Sequence, residues 1–278
     1  MELIEPEIDR GQILIIEDDF NRKNVCIVTG ASSGIGRATA IAMAVNGLTV
    51  IGVDIDEKGG EQTVEMARDM GGKVVFKKTD LTKDEDIKNC CVDAGRYGSV
   101  RYLANIAGIQ HIDPLENFPM EMYDRMLSIM LRAPFYLSKL CIPLMKESED
   151  GVGVIGNMAS VHAHICTMNK AVYNITKFGL RALTQSIAAE GKGKIRSFSV
   201  SVGFVKTPLT LNQIPDQARE RGITEEKVVR DVMLGRSQIK EMMSPIEVAN
   251  LFVLGFSHHS RYLVGGDLLF DGGMVLTY

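Results

Sequence analysis

The order of three stretches near the start of this chain admits few folds. An apolar run at Val25–Val28 is followed by TGASSGIG at 29–36 and then by the alanine-rich RATAIAMAVNG, closed by Gly47. A short apolar run bounded by glycine reads as a buried strand, and a longer apolar stretch ended by glycine reads as a helix. The succession then repeats, with strands at 48–54, 73–78 and 100–104 separated by helices ending near Gly71-Gly72 and at 83–95. A long amphipathic helix over about 119–146, broken or bent near Pro134 and Pro143, leads to a strand at 152–157. A helix from about Asn169 to Glu190, a strand at 195–201, a polar segment at 207–243, a helix at 245–256 and a strand at 262–270 complete the pass. Strands alternating with helices demand a parallel sheet covered on both faces. No linker or repeat interrupts the pattern, so residues 23–278 read as one α/β domain. Residues 1–22 stand outside it as an N-terminal arm, in which Ile13 to Ile16 reads as a short strand and Glu17-Asp18-Asp19 as a solvated charge cluster.

Composition narrows the functions on offer. A chain of 278 residues that is 45% hydrophobic can bury a large core, and a net charge of −4 argues against nucleic acid or an anionic membrane as partner. The acidic N-terminus MELIEPEIDR lacks the basic region of a secretory signal, and no apolar run approaches the 18 residues of a membrane span. Five cysteines (Cys26, Cys90, Cys91, Cys141, Cys166) form no CxxC pair, so they read as reduced, buried small side chains in a cytoplasmic protein.

The glycine-rich turn has phosphate-binding chemistry. Gly30 suits the tight turn, Gly34 lets backbone approach a pyrophosphate, and Gly36 allows close helix packing, while the helix N-terminus offers unpaired N–H groups to an anion. Asp54 ends the second strand about 20 residues on, where a carboxylate accepts hydrogen bonds from ribose hydroxyls and repels a 2′-phosphate. No Arg or Lys follows it directly, which favours NAD over NADP. Asp80-Leu81, after the third strand, falls where the adenine edge would lie, or where a helix N-cap is needed.

Farther on, Ser160 precedes Tyr173 by thirteen residues, and Tyr173 precedes Lys177 by four. Residues four apart share a helix face. An ammonium beside a phenol is expected to pull the phenol below its ordinary value of about 10 and so produce a base near neutral pH. Lys170 falls on the same stripe and His162 follows Ser160 by two. His162-x-His164 has no carboxylate or third ligand close in sequence, so no metal is expected.

With Thr29 to Gly36, Asp54, Asn105-Ile106-Ala107-Gly108, Ser160, Tyr173 and Lys177 in this order, residues 24–274 resemble the short-chain dehydrogenase/reductase family. The resemblance implies a Rossmann-like seven-stranded parallel sheet, a homotetramer, and hydride transfer between a nicotinamide and a carbonyl or hydroxyl carbon. It implies Tyr173 as general acid/base, Lys177 as its pKa modifier and ribose ligand, and Ser160 as the hydrogen-bond partner of the substrate oxygen. Around the cofactor it implies Gly30, Ser33, Gly34, Ile35, Gly36, Asp54, Asp80, Leu81, Ala107, Gly108, Gly203 and Val205, with Asn105 near the ribose and Thr207 at the carboxamide. Two positions depart from the family pattern: Met130 stands where an Asn usually holds a relay water, and Val202-Gly203 replaces Pro-Gly, which is expected to loosen the backbone there.

AGIQH (107–111), ASVH (159–162), NKAVY (169–173) and FVKTPLTLNQI (204–214) further resemble the (R)-3-hydroxybutyrate dehydrogenases of that family. That resemblance implies a substrate carboxylate held by Gln110, His162, Lys170 and Gln213, with Phe204 as an apolar wall. Lys170, and His162 if protonated, would supply the charge that a small acid needs. The segment 208–236 would act as a lid that excludes water. Reduction of another small ketone or a 3-oxoacyl thioester is the alternative of the same class, and an NAD-binding regulatory protein with impaired catalysis is the alternative of another class.

Overall fold

Val, Ile and Cys dominate the segments that form the centre of the sheet in the computed structural model, which describes residues 3–16 and 20–277. The strands are β1 Asn24–Thr29, β2 Thr49–Asp54, β3 Lys73–Lys78, β4 Ser99–Asn105, β5 Gly153–Met158, β6 Ile195–Val202 and β7 Asp267–Phe270. All six pairings are parallel, in the order β3-β2-β1-β4-β5-β6-β7. Every residue of β5 and β6 is buried, as expected for strands covered on both sides.

The helices are α1 Gly34–Val45, α2 Glu57–Asp69, α3 Asp84–Gly95, α4 Met120–Leu127, α5 Ala133–Lys146, α6 Ala171–Gly191, α7 Pro208–Leu211, α8 Ile214–Arg221, α9 Glu225–Lys227 and α10 Pro245–Phe256. One face of the sheet packs on α1, α2 and α10 through Ile41, Met43, Ala67 and Phe252. The other packs on α3, α5 and α6 through Ile87, Cys91, Leu137, Met145 and Ile187. The chain runs outward in opposite directions from β1 and β4, so a crevice opens at the carboxyl ends of these neighbouring strands.

Several boundaries differ from the sequence expectation. Ile13 to Ile16 forms no strand; the backbone N–H groups of Leu14 and Ile16 bond instead to the side chains of Asn250 and Asn46. The Glu17-Asp18-Asp19 cluster lies outside the described residues. Residues 262–266 are not extended, because the last strand begins only at Asp267, where pairing with Ser199 starts. The helix over 119–146 is interrupted at Ser128–Arg132 by a π-helical turn rather than at Pro143, which stays inside α5. The run Met120–Lys146 is long and apolar enough by length and composition to cross a membrane. Here, though, Ala133, Leu137, Cys141 and Met145 turn its apolar side to the core. Four cysteines are buried as expected, but Cys166 is exposed. The segment expected to be merely polar carries its own apolar cluster, in which Ile214, Val228, Val229, Met233 and Met242 collect around Phe204 and Leu211.

Candidate active site

The crevice is a cleft of about 690 Å³. The turn at its floor is shaped by two glycines. Gly30 has φ +72°, and a Cβ on Gly36 would lie 2.0 Å from the Gly30 carbonyl oxygen, so α1 approaches β1 closer than any side chain permits. Thr29 Oγ1 accepts from the N–H groups of Ile106 and Ala107 at 2.8 and 3.0 Å, which fixes the end of β4 beside that turn. Asp54 takes a hydrogen bond from Ser32 N at 3.2 Å and from Asp56 N at 3.1 Å, so its carboxylate is held at the cleft wall. Ser33 precedes α1 with no cap bond from its hydroxyl.

Ser33, Gly34, Ile35, Asp80, Leu81, Ala107, Gly108, Gly203, Val205 and Thr207 line the same cleft. Asp80 accepts from the N–H and hydroxyl of Thr82 and forms a tight turn ahead of α3, whose N-cap is Lys83. Asn105 does not line it: the residue is buried behind, its Nδ2 donates to Asn157 Oδ1 at 2.9 Å, and Asn157 Nδ2 donates in turn to Thr184 Oγ1. Asn105 therefore ties β4 to β5 and α6 rather than reaching a ribose. The Val202-Gly203 backbone is not loosened either; Val202 pairs with Phe270 and Gly203 N donates to Phe270 O.

Ser160, Tyr173 and Lys177 meet in the cleft. Ser160 follows β5 and opens a short 3-10 turn, while Tyr173 and Lys177 sit one turn apart on α6. The expected electrostatics are reversed, however. Burial pushes the Tyr173 phenol up to about 12, against the downward pull of its hydrogen bond with Ser160. Burial also brings Lys177 down to about 7. Its Nζ lies 5.2 Å from the centre of the Tyr173 ring, over its face, and donates to the Met158 carbonyl at 2.7 Å. Withdrawal from water opposes both charges here. Met130 is fully buried among Met126, Val172, Ile129 and Tyr173, and its thioether puts no amide at this position.

The five remaining sequence candidates, Gln110, His162, Lys170, Phe204 and Gln213, lie outside the cleft lining. His162 Nδ1 lies 3.2 Å from Ser160 Oγ, its Nε2 lies 2.9 Å from Thr167 Oγ1, and its ring meets Tyr173 edge to face. Burial first, then the charges of Lys170 and Lys177, lower His162 to about 3, so it is neutral at neutral pH and supplies no cation. Both ring nitrogens already have partners. Lys170 is the N-cap of α6 rather than part of its helical stripe, and Nζ stands 5.9 Å from the centre of the Phe204 ring. Burial lowers Lys170 to about 8, which still leaves it mostly charged at pH 7. Gln213 Nε2 donates to Gln110 Oε1 at 3.4 Å, while Gln110 Nε2 is buried without a partner. Asn169, between His162 and α6, holds φ +62°, a left-handed conformation that asparagine tolerates best after glycine.

Sequence reasoning missed Thr167, whose role beside His162 depends on a contact five residues away across a turn, and Thr29, whose hydroxyl joins two strands far apart in sequence. It also missed Glu5, whose carboxylate reaches Gly34 N at 2.8 Å.

This fold and site agree with what the chain is similar to. The family model described as enoyl-(acyl carrier protein) reductase matches residues 30–275. The chain belongs to the short-chain dehydrogenase/reductase family. It is 34% identical over 251 residues to D-beta-hydroxybutyrate dehydrogenase of Rhizobium meliloti, an alignment covering 89% of this chain and 96% of the relative. It is similar to levodione reductase, with a TM-score of 0.86 at 26% identity and coverage of 93% of this chain and all of the other. A second solved structure, a gluconate 5-dehydrogenase from Beutenbergia cavernae described as NAD(P)-dependent with bound NADP, gives 0.82 at 26% identity, covering 92% and 98%. The protein is thus an NAD(P)-dependent oxidoreductase. The residues present fit such a dinucleotide: the close glycine junction sets the N-terminus of α1 at the cleft, and the carboxylate of Asp54 stands at the end of β2. When bound, the nicotinamide takes up or gives the hydride.

Proposed function

We propose that this oxidoreductase acts on a short 3-hydroxy acid, (R)-3-hydroxybutyrate foremost, and interconverts it with the 3-oxo acid using NAD. One observation carries the reading: Lys170, a half-buried ammonium whose pKa is lowered by desolvation, forms no ion pair among the described residues. A buried charge without a partner is costly and marks a place where an anion completes the structure. The buried, unpartnered Nε2 of Gln110 supports the same reading, because a carboxylate would accept from both groups. Lys170 and Lys177 both act on His162, whose ring touches Tyr173, so the anion site and the base lie within reach of one small molecule.

In this reading Tyr173 accepts the hydroxyl proton during oxidation and returns it during reduction. Ser160 orients the substrate oxygen, and His162, neutral, orients Ser160. Gln110, Lys170 and Gln213 bind the carboxylate, with Phe204 as the apolar wall. Residues 208–236, with their own apolar cluster, act as the lid. A homotetramer in the cytoplasm belongs to the same proposal; Phe135, Ile175 and Phe178 are exposed on α5 and α6 and are suited to contact with further copies. Light scattering checks that assembly.

Lys170→Ala is expected to raise KM for acetoacetate by about 30- to 150-fold, the value of a buried charge-assisted contact of about 2–3 kcal/mol, with kcat changed only a few-fold. NADH consumption at varied acetoacetate measures this, and an unchanged KM sinks the carboxylate reading. The carrier-protein description of the matching family model favours a second reading, reduction of a 3-oxoacyl thioester. A thioester has no free carboxylate, so Lys170→Ala would leave its KM unaltered. Absence of turnover with every 3-hydroxy acid and thioester would instead favour a dinucleotide-binding regulator.

NAD is preferred because the fixed Asp54 carboxylate repels a 2′-phosphate. Asp54→Ala is expected to weaken NADH binding and strengthen NADPH binding, shifting the ratio of their dissociation constants by about 10- to 100-fold, the effect of about 1.4–2.7 kcal/mol. Fluorescence titration with the two nucleotides reads it; an unmoved ratio rejects Asp54 as the discriminator.

A further inference from the structure

The N-terminal arm is held at both ends and at Ile8, which packs against the main core, but the two ends are held by different means. Around residues 12–16, Asn250 bonds to Gln12 O and Leu14 N, and Asn46 bonds to Leu14 O and Ile16 N, each at 2.8–2.9 Å. Ile13 is buried in the main core. Toward the N-terminus the grip is of another kind. Among the described residues, residues 3–8 hydrogen-bond the body only through Glu5, whose Oε1 accepts from Gly34 N at 2.8 Å. Gly34 is the first residue of α1 and lines the dinucleotide cleft. The Arg37 guanidinium attracts the same carboxylate, while half-burial works against its charge and raises it. Beyond Glu5, Leu3 packs against the apolar cluster of residues 214–242.

An anion at the N-terminus of α1 is what the glycine-rich turn is built to receive. Here the anion belongs to the chain itself. We propose that residues 3–9 form an autoinhibitory strap, in which Glu5 occupies the phosphate end of the cofactor cleft and must leave before a dinucleotide binds. The N–H of Gly34 cannot serve a carboxylate and a phosphate oxygen at once, and the two anions repel each other at this spacing. Because the strap also contacts the segment over the cleft through Leu3, its release frees both the turn and that segment. The inference rests on dinucleotide binding at the turn and not on the identity of the substrate.

The size of the effect follows from occupancy. If the strap is docked nine-tenths of the time, the apparent dissociation constant for the dinucleotide is about tenfold above its intrinsic value. Fluorescence titration with NADH on the full chain, a chain lacking residues 1–9, Glu5→Ala and Glu7→Ala tests this. The truncation and Glu5→Ala are expected to lower the dissociation constant about tenfold. Glu7→Ala removes the same charge from an exposed position and is expected to leave it unchanged. Equal effects of Glu5→Ala and Glu7→Ala, or no effect of Glu5→Ala and the truncation, overturn the strap. Hydrogen exchange supplies a second readout that needs no variant. NADH is expected to raise deuterium uptake over residues 3–9, whereas a fall would show the arm closing over the cofactor and overturn the proposal. Failure of NADH to bind any of the four proteins would overturn the dinucleotide site along with the strap; binding that ignores the arm overturns the strap alone.

Discussion

Tyr173→Phe is expected to lower kcat for 3-hydroxy acid oxidation by about 10³- to 10⁴-fold, toward the upper end of what a positioned acid/base contributes. The half-buried phenol is pushed up to about 12 by desolvation, so it is protonated at neutral pH and ready as the acid of the reductive direction. Oxidation needs the phenolate, and kcat/KM for the 3-hydroxy acid therefore rises with pH through the range 7–9, while reduction stays level there. The variant loses both the rate and this pH response. Its stability changes little. A phenol raised in the folded state is neutral in both states below pH 10, its stabilising contribution is lost only as pH rises through about 12, and the hydroxyl's bond to Ser160 contributes about 1 kcal/mol. NADH absorbance from pH 6 to 9, together with urea unfolding of both proteins, measures the two effects. A kcat within tenfold of the parent would remove Tyr173 from the mechanism.

Lys177→Met is expected to separate catalysis from stability. Activity falls by about 10²-fold, because Lys177 Nζ is the polar group over the Tyr173 ring, and methionine can neither carry a charge nor pass a proton there. Stability moves the other way. Lys177 is lowered to about 7 in the fold, whereas an unfolded lysine titrates near 10.4. Between these values the unfolded chain holds the extra proton, so this group makes the protein more stable as pH rises from 7, and that contribution is lost as pH falls through 7. Each such proton is worth about 1.4 kcal/mol per pH unit. Methionine fills the space with no charge to bury, so the variant is expected to be more stable at pH 6.5 by a few kcal/mol, less about 1 kcal/mol for the donor lost to Met158 O. Its unfolding free energy then climbs less steeply between pH 7 and 9, leaving mainly the slope from Lys170 above about 8. Urea titrations at pH 6.5, 7.5 and 8.5 decide it, and an unaltered slope would mean that Lys177 is not buried as a cation.

The parts of this fold legible in the sequence are those set by local chemistry. Val25–Val28 has to be interior strand, the glycines at 30, 34 and 36 have to be a close strand-to-helix turn, and the spacing of Tyr173 and Lys177 places them on one face of a helix. The strand at 262–270 was legible only in part, because a run rich in Leu and Val looks extended whether or not it forms a ladder; Gly265 N bonds Ser197 O, but Gly265 has φ +74° and regular pairing starts only at Asp267. Asn105 shows the same gap on the side-chain scale. The family resemblance implied a ribose nearby, but the residue ends β4, and Asn157 on the adjacent strand accepts its Nδ2 hydrogen bond.

The sequence by itself determined which groups this protein has for hydride chemistry, in what order, and which elements carry them, since turn geometry and helix periodicity act over a few residues. Their protonation was decided only by the tertiary structure. Tyr173, Lys177 and His162 are driven toward their neutral forms because burial removes water from all three, a property of the whole packed domain that no spacing encodes. The same holds for Glu5. Twenty-nine residues separate it from Gly34, and only the path of the arm across the folded body brings a carboxylate to the glycine-rich turn.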